Sequence, residues 1–245
     1  MMRNEPMLIK LNTKYRGLIG SLFYLTTSRP NIMFNVCLCA RYQANPKESQ
    51  YMAAKRILKY LKWTIDVGLW YPSEVSLNLI GYSDSYFAGC KIDRKSTNGT
   101  SHLVGSSLIS WHSKNQVCVA LSTVIAEYIV ARSCCTQSLC ITLSDFGLSL
   151  SQIPLFCDNN CIINLTKKPI QHSRTKHIEI CHHFIRDHVN NGDCVIQFVN
   201  SENHLAYLFT KPLNKEIFNF SQKRIGNFWF EKYKINKSTY TCIDS

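Results

Sequence analysis

No stretch of this 245-residue chain holds the ~18 consecutive apolar residues that a bilayer-spanning helix needs. Gly17–Leu25 is apolar but too short, and Thr26, Thr27 and Arg29 follow it, so no membrane segment is expected. Glu5 and Lys10 stand where a signal peptide would need an unbroken apolar core, which points to an intracellular protein, cytoplasmic or nuclear and not secreted. There is no internal repeat and no low-complexity tract, and an apolar fraction of 45% argues against global disorder. A disulfide framework is also missing. Twelve cysteines are many, but Cys134 and Cys135 are adjacent, Cys37 and Cys39 are one apart, and Cys140 lies in an apolar helical stretch. Free, mostly buried thiols are the simpler reading. Cys157-x3-Cys161, with Cys181 and His182 downstream, lacks the clean second pair that a structural zinc site requires. Acidic residues are in short supply: 16 against 28 Lys and Arg, a net charge of +12. The excess is largest in residues 1–78, which carry 11 basic and 4 acidic side chains. Nucleic acid is the natural partner of such a balance, the alternative being a merely basic, soluble protein.

What is present divides into a helical start and a strand-bearing remainder. Tyr15–Leu25 and Ile32–Tyr42 are apolar segments separated by Arg29-Pro30, and Asn45-Pro46 ends the second. Gln50–Trp63 reads as an amphipathic helix, with Tyr51, Ala54, Leu58 and Leu61 at helical spacing and Lys55, Arg56, Lys59 and Lys62 away from them. That basic face is a candidate track for a phosphate backbone, or an ordinary solvated face. Strands are predicted at Leu77–Ser83, Thr100–Val104 and Ser107–His112, an antiparallel trio whose first connection, Asp93–Gly99, contains the turn signal Asn98-Gly99. A helix at Ser122–Phe146, a strand at Ile153–Cys157, a helix at Asn159–Lys167, a helix at Thr175–Asn190, a strand at Cys194–Val199 and a short helix at Glu202–Phe209 complete a mixed α/β sandwich. The basic, aromatic stretch 214–245 has no assignment.

Three acidic residues sit one per motif: Asp84 in GYSDSYFAG, Glu127 in ALSTVIAEY and Asp158 in FCDNN. The first ends a strand, the second lies on a helix, the third ends another strand. Carboxylates arriving from two strand ends and a helix can converge on a pair of divalent metals. Such a pair activates a water and neutralises a leaving oxygen, which is what phosphodiester hydrolysis needs. Hard cations take oxygen ligands, so Mg2+ or Mn2+ is expected. Taken singly, Asp158 could simply cap the following helix.

These motifs, with LISWHSKNQ, HSRTKHIEICHHFIRDHV and LAYLFTKPL, resemble the ribonuclease H domain of copia-type retrotransposon Pol polyproteins over about residues 77–213. Upstream, YRGLIGSLFYLTTSRPNIMFNVCLCARYQ and AAKRILKYLKWTIDVGLWY resemble the stretch joining that domain to the preceding reverse transcriptase. The resemblance implies an α/β, ribonuclease H-like three-layer sandwich with a five-stranded mixed sheet, preceded by a small helical segment. It implies a helical remnant over 1–75, the ribonuclease H-like domain over 76–213 and an unassigned basic tail over 214–245. It implies metal-dependent cleavage of RNA in an RNA–DNA hybrid by Asp84, Glu127 and Asp158, within what was once a larger Pol polyprotein. No YVDD-type polymerase motif is present, so no polymerase activity is expected. The family usually has an aspartate where this chain has Tyr207, which removes a fourth metal-site acid, since a phenol is neutral at pH 7. Tyr86 and Ile125 stand at two auxiliary acidic positions of the family, and Asn31 replaces a common Asp. A weakened or inactive enzyme is therefore expected, with a non-catalytic nucleic-acid-binding remnant or a non-functional fragment as alternatives.

Further hybrid contacts are expected from Ser96, Thr97, Asn98 and Asn159, which are candidates to bond sugar hydroxyls or phosphates. Turn and cap roles are the alternative for each. In the resembling family HSRTKHI is a landmark, and Arg174 and Lys176 are candidate backbone contacts. His172, His177, His182, His183 and His188 crowd one region, but a spacing of five does not align His177 with His182, nor His183 with His188, on one helical face.

Overall fold

The computed structural model describes residues 5–73, 76–90, 93–141, 152–167 and 184–229. Three helices come first: α1 (Glu5–Leu25), α2 (Met33–Ala40) and α3 (Glu48–Trp63). A 3-10 turn at Pro30–Ile32 joins the first two. Pro30 suits its start, because the first helical position needs no N–H and proline presets φ. The apolar stripes of the three helices close on a core of their own, with Tyr15, Ile19, Leu22, Ile32, Val36, Ala54 and Ile57 at its centre. The Tyr15 hydroxyl donates to the Cys39 carbonyl at 2.9 Å and locks α1 to α2. This unit is tied to the rest of the molecule: Trp111 Nε1 donates to the Thr26 carbonyl at 3.0 Å, and Arg41 to Thr97 Oγ1 at 3.0 Å. No helix among the described residues is long and apolar enough to cross a membrane.

After a short strand β1 (Val67–Leu69) come β2 (Leu79–Tyr86), β3 (Thr97–Val104), β4 (Ser107–Asn115), α4 (Thr123–Cys140), β5 (Ile153–Cys157), α5 (Asn160–Lys167), α6 (184–190) and β6 (Cys194–Phe198). Five strands form one sheet in the order β4-β3-β2-β5-β6. β2, β3 and β4 are antiparallel, whereas β5 runs parallel to β2 and β6 parallel to β5. One face packs Leu79, Leu155 and Ile196 against Tyr128, Ala131, Cys134 and Cys135 of α4, with Ile162 and Ile185 alongside. The other packs Tyr82, Leu103 and Leu108 under Leu205, Leu208 and Phe209. Sheet and covering layers make the α/β, three-layer, ribonuclease H-like arrangement with a five-stranded mixed sheet. The described cysteines are free thiols, and Cys39, Cys90, Cys134, Cys135, Cys157 and Cys194 are buried.

Several local expectations change. Asn98-Gly99 is not a turn but lies inside β3, where Gly99 pairs with Asp84. The glycine is needed there for close approach: a Cβ would come within 2.5 Å of Thr210 Cγ2 and 2.9 Å of the Ala206 carbonyl oxygen. β2 likewise runs past Asp84 to Tyr86, because β3 continues to pair with it. The short helix expected at Glu202–Phe209 is two 3-10 segments, Ser201–Asn203 and Leu205–Phe209. Part of the stretch that sequence left unassigned is folded: α7 (Lys215–Arg224) is followed by β7 (Asn227–Trp229), which pairs with β1. α7 also reaches α3, where Gln222 Nε2 donates to the Tyr60 hydroxyl at 2.8 Å. The expected end of α4 at Phe146 and the first part of a helix at Thr175–Asn190 lie outside the described residues.

Gly99→Ala is expected to destabilise the fold by about 1–3 kcal/mol, since one of the clashing atoms is backbone and cannot swing away. Gly17→Ala, on an exposed turn of α1 with nothing within 4 Å of the new Cβ, is expected to stabilise it by about 0.5–1 kcal/mol. Urea unfolding midpoints check both signs.

Candidate metal centre

Alternation along β2 puts Asp84 on the same face as Ile80 and Tyr82, near the middle of the sheet because β2 is the central strand. Glu127 comes from the start of α4, where Ser122 caps the helix by accepting from the Ile125 N–H. Gln116 holds that end to the sheet: its side-chain amide donates to the Ala126 carbonyl at 2.8 Å and to Asn98 Oδ1 at 2.7 Å. Asp158 is the residue after β5. One carboxylate oxygen from each of Asp84, Glu127 and Asp158 lies within 4.8 Å of the others. Asp84 and Glu127 are 2% and 6% exposed, and Asp158 is half-buried.

Crowding and burial set the electrostatics. Burial first, then the charges of Asp84 and Asp158, raise the Glu127 pKa far above the carboxylate range. Burial also raises Asp84, while Lys211 and a hydrogen bond from Thr210 pull it back. Glu127 Oε1 accepts from the Ser85 N–H at 2.9 Å, but Oε2 is buried without a hydrogen-bond partner. A buried carboxylate oxygen without a partner, beside two more carboxylates, is short of positive charge. The donor set is all oxygen, so it fits Mg2+ or Mn2+.

Residues whose roles the sequence did not disclose complete the site. The Tyr207 hydroxyl donates to Asp158 Oδ2 at 2.5 Å and lies 3.0 Å from Ser201 Oγ. Burial, then the bond to Asp158, raises the Tyr207 pKa above that of a free phenol, so it stays protonated. The Thr210 hydroxyl donates to Asp84 Oδ2. Lys211 Nζ sits 3.7 Å from Asp84 Oδ1 and 3.2 Å from the centre of the Tyr207 ring. His204 stacks on Tyr207, ring centres 4.7 Å apart and 4° from parallel. All lie in or beside LAYLFTKPL, yet Asp84, the partner of Thr210 and Lys211, is more than a hundred residues away, and Asp158, the partner of Tyr207, is 49 away, so only the fold brings them together.

The expected nucleic-acid contacts divide three ways. Lys55, Arg56, Lys59 and Lys62 are exposed along α3, and Arg56 shares with Lys211 the wall of a cavity of about 470 Å3. Ser96, Thr97 and Asn98 are buried, and their polar atoms are engaged inside the protein. Ser96 Oγ accepts from the Ala88 N–H, Thr97 Oγ1 accepts from Arg41, and Asn98 Oδ1 accepts from Gln116. Ser96 precedes β3, and Thr97 and Asn98 open it. Asn159 is half-buried and caps α5, its Oδ1 accepting from the Cys161 N–H at 2.9 Å. Arg174 and Lys176 lie outside the described residues, as do His172, His177, His182 and His183. His188 bonds Asp193 at 2.7 Å.

A sheet of this order, carrying carboxylates from its central strand, the neighbouring parallel strand and the helix across them, defines a ribonuclease H-like domain. No protein-family model matches the chain. It is 40% identical over 217 residues to the retrovirus-related Pol polyprotein from transposon RE1 of Arabidopsis thaliana, covering 87% of this chain and 15% of that protein. It is 39% identical over 215 residues to the corresponding polyprotein from transposon RE2 of the same plant, covering 86% and 15%. Among solved structures, LC11-RNase H1 in complex with RNA/DNA hybrid superposes with a TM-score of 0.41 at 13% identity, over 54% of this chain and 94% of that one. That superposition is too distant to add to the topology. The chain belongs to the retrotransposon Pol polyproteins, as the ribonuclease H-like region and the stretch leading into it. It spans about 15% of the length of these relatives.

His204 carries a pH signature. Neither ring nitrogen has a hydrogen-bond partner, and burial pushes its pKa down to about 4. The unfolded chain takes up a proton near pH 6.5 that the folded chain refuses. Stability is therefore intact above pH 6.5 and is lost as pH falls toward 4. His204→Phe keeps the ring on Tyr207 and is expected to recover about 1–2 kcal/mol at pH 5 relative to its effect at pH 7.5. Urea unfolding at the two pH values checks this, and a difference that does not change with pH contradicts it.

Proposed function

We propose that this domain is a metal-dependent hydrolase of the RNA strand of RNA–DNA hybrids, weakened by Tyr207. The observation that carries the reading is the convergence of Asp84, Glu127 and Asp158, with Glu127 Oε2 buried and unpartnered. Asp84, from the end region of the central strand, would help to hold the bound ions. Glu127 would hold one ion from α4, and Asp158 the other from the end of β5. Bound divalent ions would supply an activated water and charge neutralisation at the leaving oxygen. The chain's own part is orientation: the Ser85 N–H fixes Glu127 Oε1, Thr210 fixes Asp84 Oδ2, and Gln116 anchors the start of α4. Lys55, Arg56, Lys59 and Lys62 would lie along the phosphate backbone, a contact that is electrostatic and independent of sequence.

Tyr207 bears on the second reading, a non-catalytic hybrid-binding remnant. Its hydroxyl occupies Asp158 Oδ2, and a neutral phenol adds no charge for a cation. Cleavage of a labelled RNA–DNA hybrid in Mg2+ or Mn2+ separates the two. Wild type is expected to cut slowly, Tyr207→Asp faster, and Glu127→Gln slower than wild type by about 100-fold or more, the several kcal/mol that metal catalysis supplies. Cleavage by none of them would leave binding alone. Binding should survive in either case, and Lys59→Gln with Lys62→Gln is expected to flatten the salt dependence of affinity by roughly one unit of slope per lysine.

A further inference from the structure

We propose that Lys211 is a resident counter-cation of the carboxylate cluster, seated on the Tyr207 ring and displaced when a divalent ion binds. The inference rests on the metal-site reading above and deepens it. The Lys211 ammonium lies 3.2 Å from the centre of the Tyr207 ring and 3.7 Å from Asp84 Oδ1. Both distances are within the reach of cation–π and ion-pair attraction. The two residues are four apart across the end of a 3-10 segment, and the Lys211 N–H donates to the Tyr207 carbonyl, which brings the two side chains together. The seat depends on this chain's residue at 207: an aspartate has no ring face to offer an ammonium.

The arrangement has a consequence for metal binding. Without a bound ion, the lysine offsets negative charge in the crowded cluster at Asp84 Oδ1. A divalent ion entering between Asp84 and its neighbours meets that ammonium a few ångströms away, and two cations so close repel. Lys211 is the partner that can leave, since its stem is flexible and its side chain is 27% exposed where Asp84 is 3% exposed. The cavity of about 470 Å3 that it lines, with Asn35, Tyr60 and Pro212, gives the stem room. The lysine and the tyrosine together make a self-filled site that a metal must open.

Carbon-detected or proton-detected NMR of the lysine side chains, during titration of the full chain with Mg2+, tests this. The Lys211 ε-CH2 signal is identified by its loss in Lys211→Met. It is expected well upfield of the other lysines, under the Tyr207 ring current. It should return to the common lysine position as Mg2+ saturates, at the midpoint that calorimetry gives for binding. Lys211→Met is expected to bind Mg2+ about tenfold tighter or more, having lost a competing charge, and Glu127→Gln to bind none. If wild type binds Mg2+ while the Lys211 signal stays upfield, or Lys211→Met binds no tighter, the counter-cation role is wrong and the metal site stands. If no variant binds Mg2+, the metal reading fails and takes this inference with it.

Discussion

Three carboxyl groups within 4.8 Å of one another, two of them buried, resist being ionised together at neutral pH. Much of the local structure reads as a means of holding them in that position. The three come from elements that cannot separate without breaking the sheet. β2 and β5 are paired, and α4 is packed across both through Tyr128, Ala131, Cys134 and Cys135. The strain is not fully relieved. Asp84 and Glu127 are both pushed upward by burial, and Glu127 keeps one oxygen without a partner. That state is what supports the proposed cation site.

Tyr207, where the resemblance leads one to expect an acid, acts at this same point. Tyr207 does not leave a gap where an acid is expected. Its hydroxyl bonds Asp158, its ring carries Lys211, and His204 stacks on that ring. Gly99 allows the segment bearing Thr210 to approach β3, which is how Thr210 reaches Asp84. Tyr207 and Lys211 thus give the cluster an internal hydrogen-bond donor and an internal cation. The core beneath is unaffected, because Leu205, Leu208 and Phe209 fill the sheet face whatever stands at 207.

How far the sequence discloses this follows from the range of the interactions. Asp84, Glu127 and Asp158 were legible because each sits in a local motif with a strand or helix pattern of its own. The strands and α3 were legible from apolar periodicity for the same reason. Asn98-Gly99 misled because glycine's small size serves two ends, a tight turn or a close approach, and only the packing of Thr210 on β3 distinguishes them. Ser96, Thr97 and Asn98 looked like ligand contacts because polar residues near a site resemble binding groups, whereas in the fold they are buried and bonded within the protein. Lys211, Thr210 and His204 were silent because their partners lie on a distant strand. The pairing of β7 with β1 was silent because three-residue strands carry no periodicity.

The central claim is that Asp84, Glu127 and Asp158 form a cation site. An anomalous difference map from a Mn2+-soaked crystal tests it most directly. The account predicts a peak between the three carboxylates, about 2.1 Å from their oxygens, with the Lys211 ammonium moved off the Tyr207 ring. A map with no peak there at saturating Mn2+, and Lys211 still against Asp84, would contradict it.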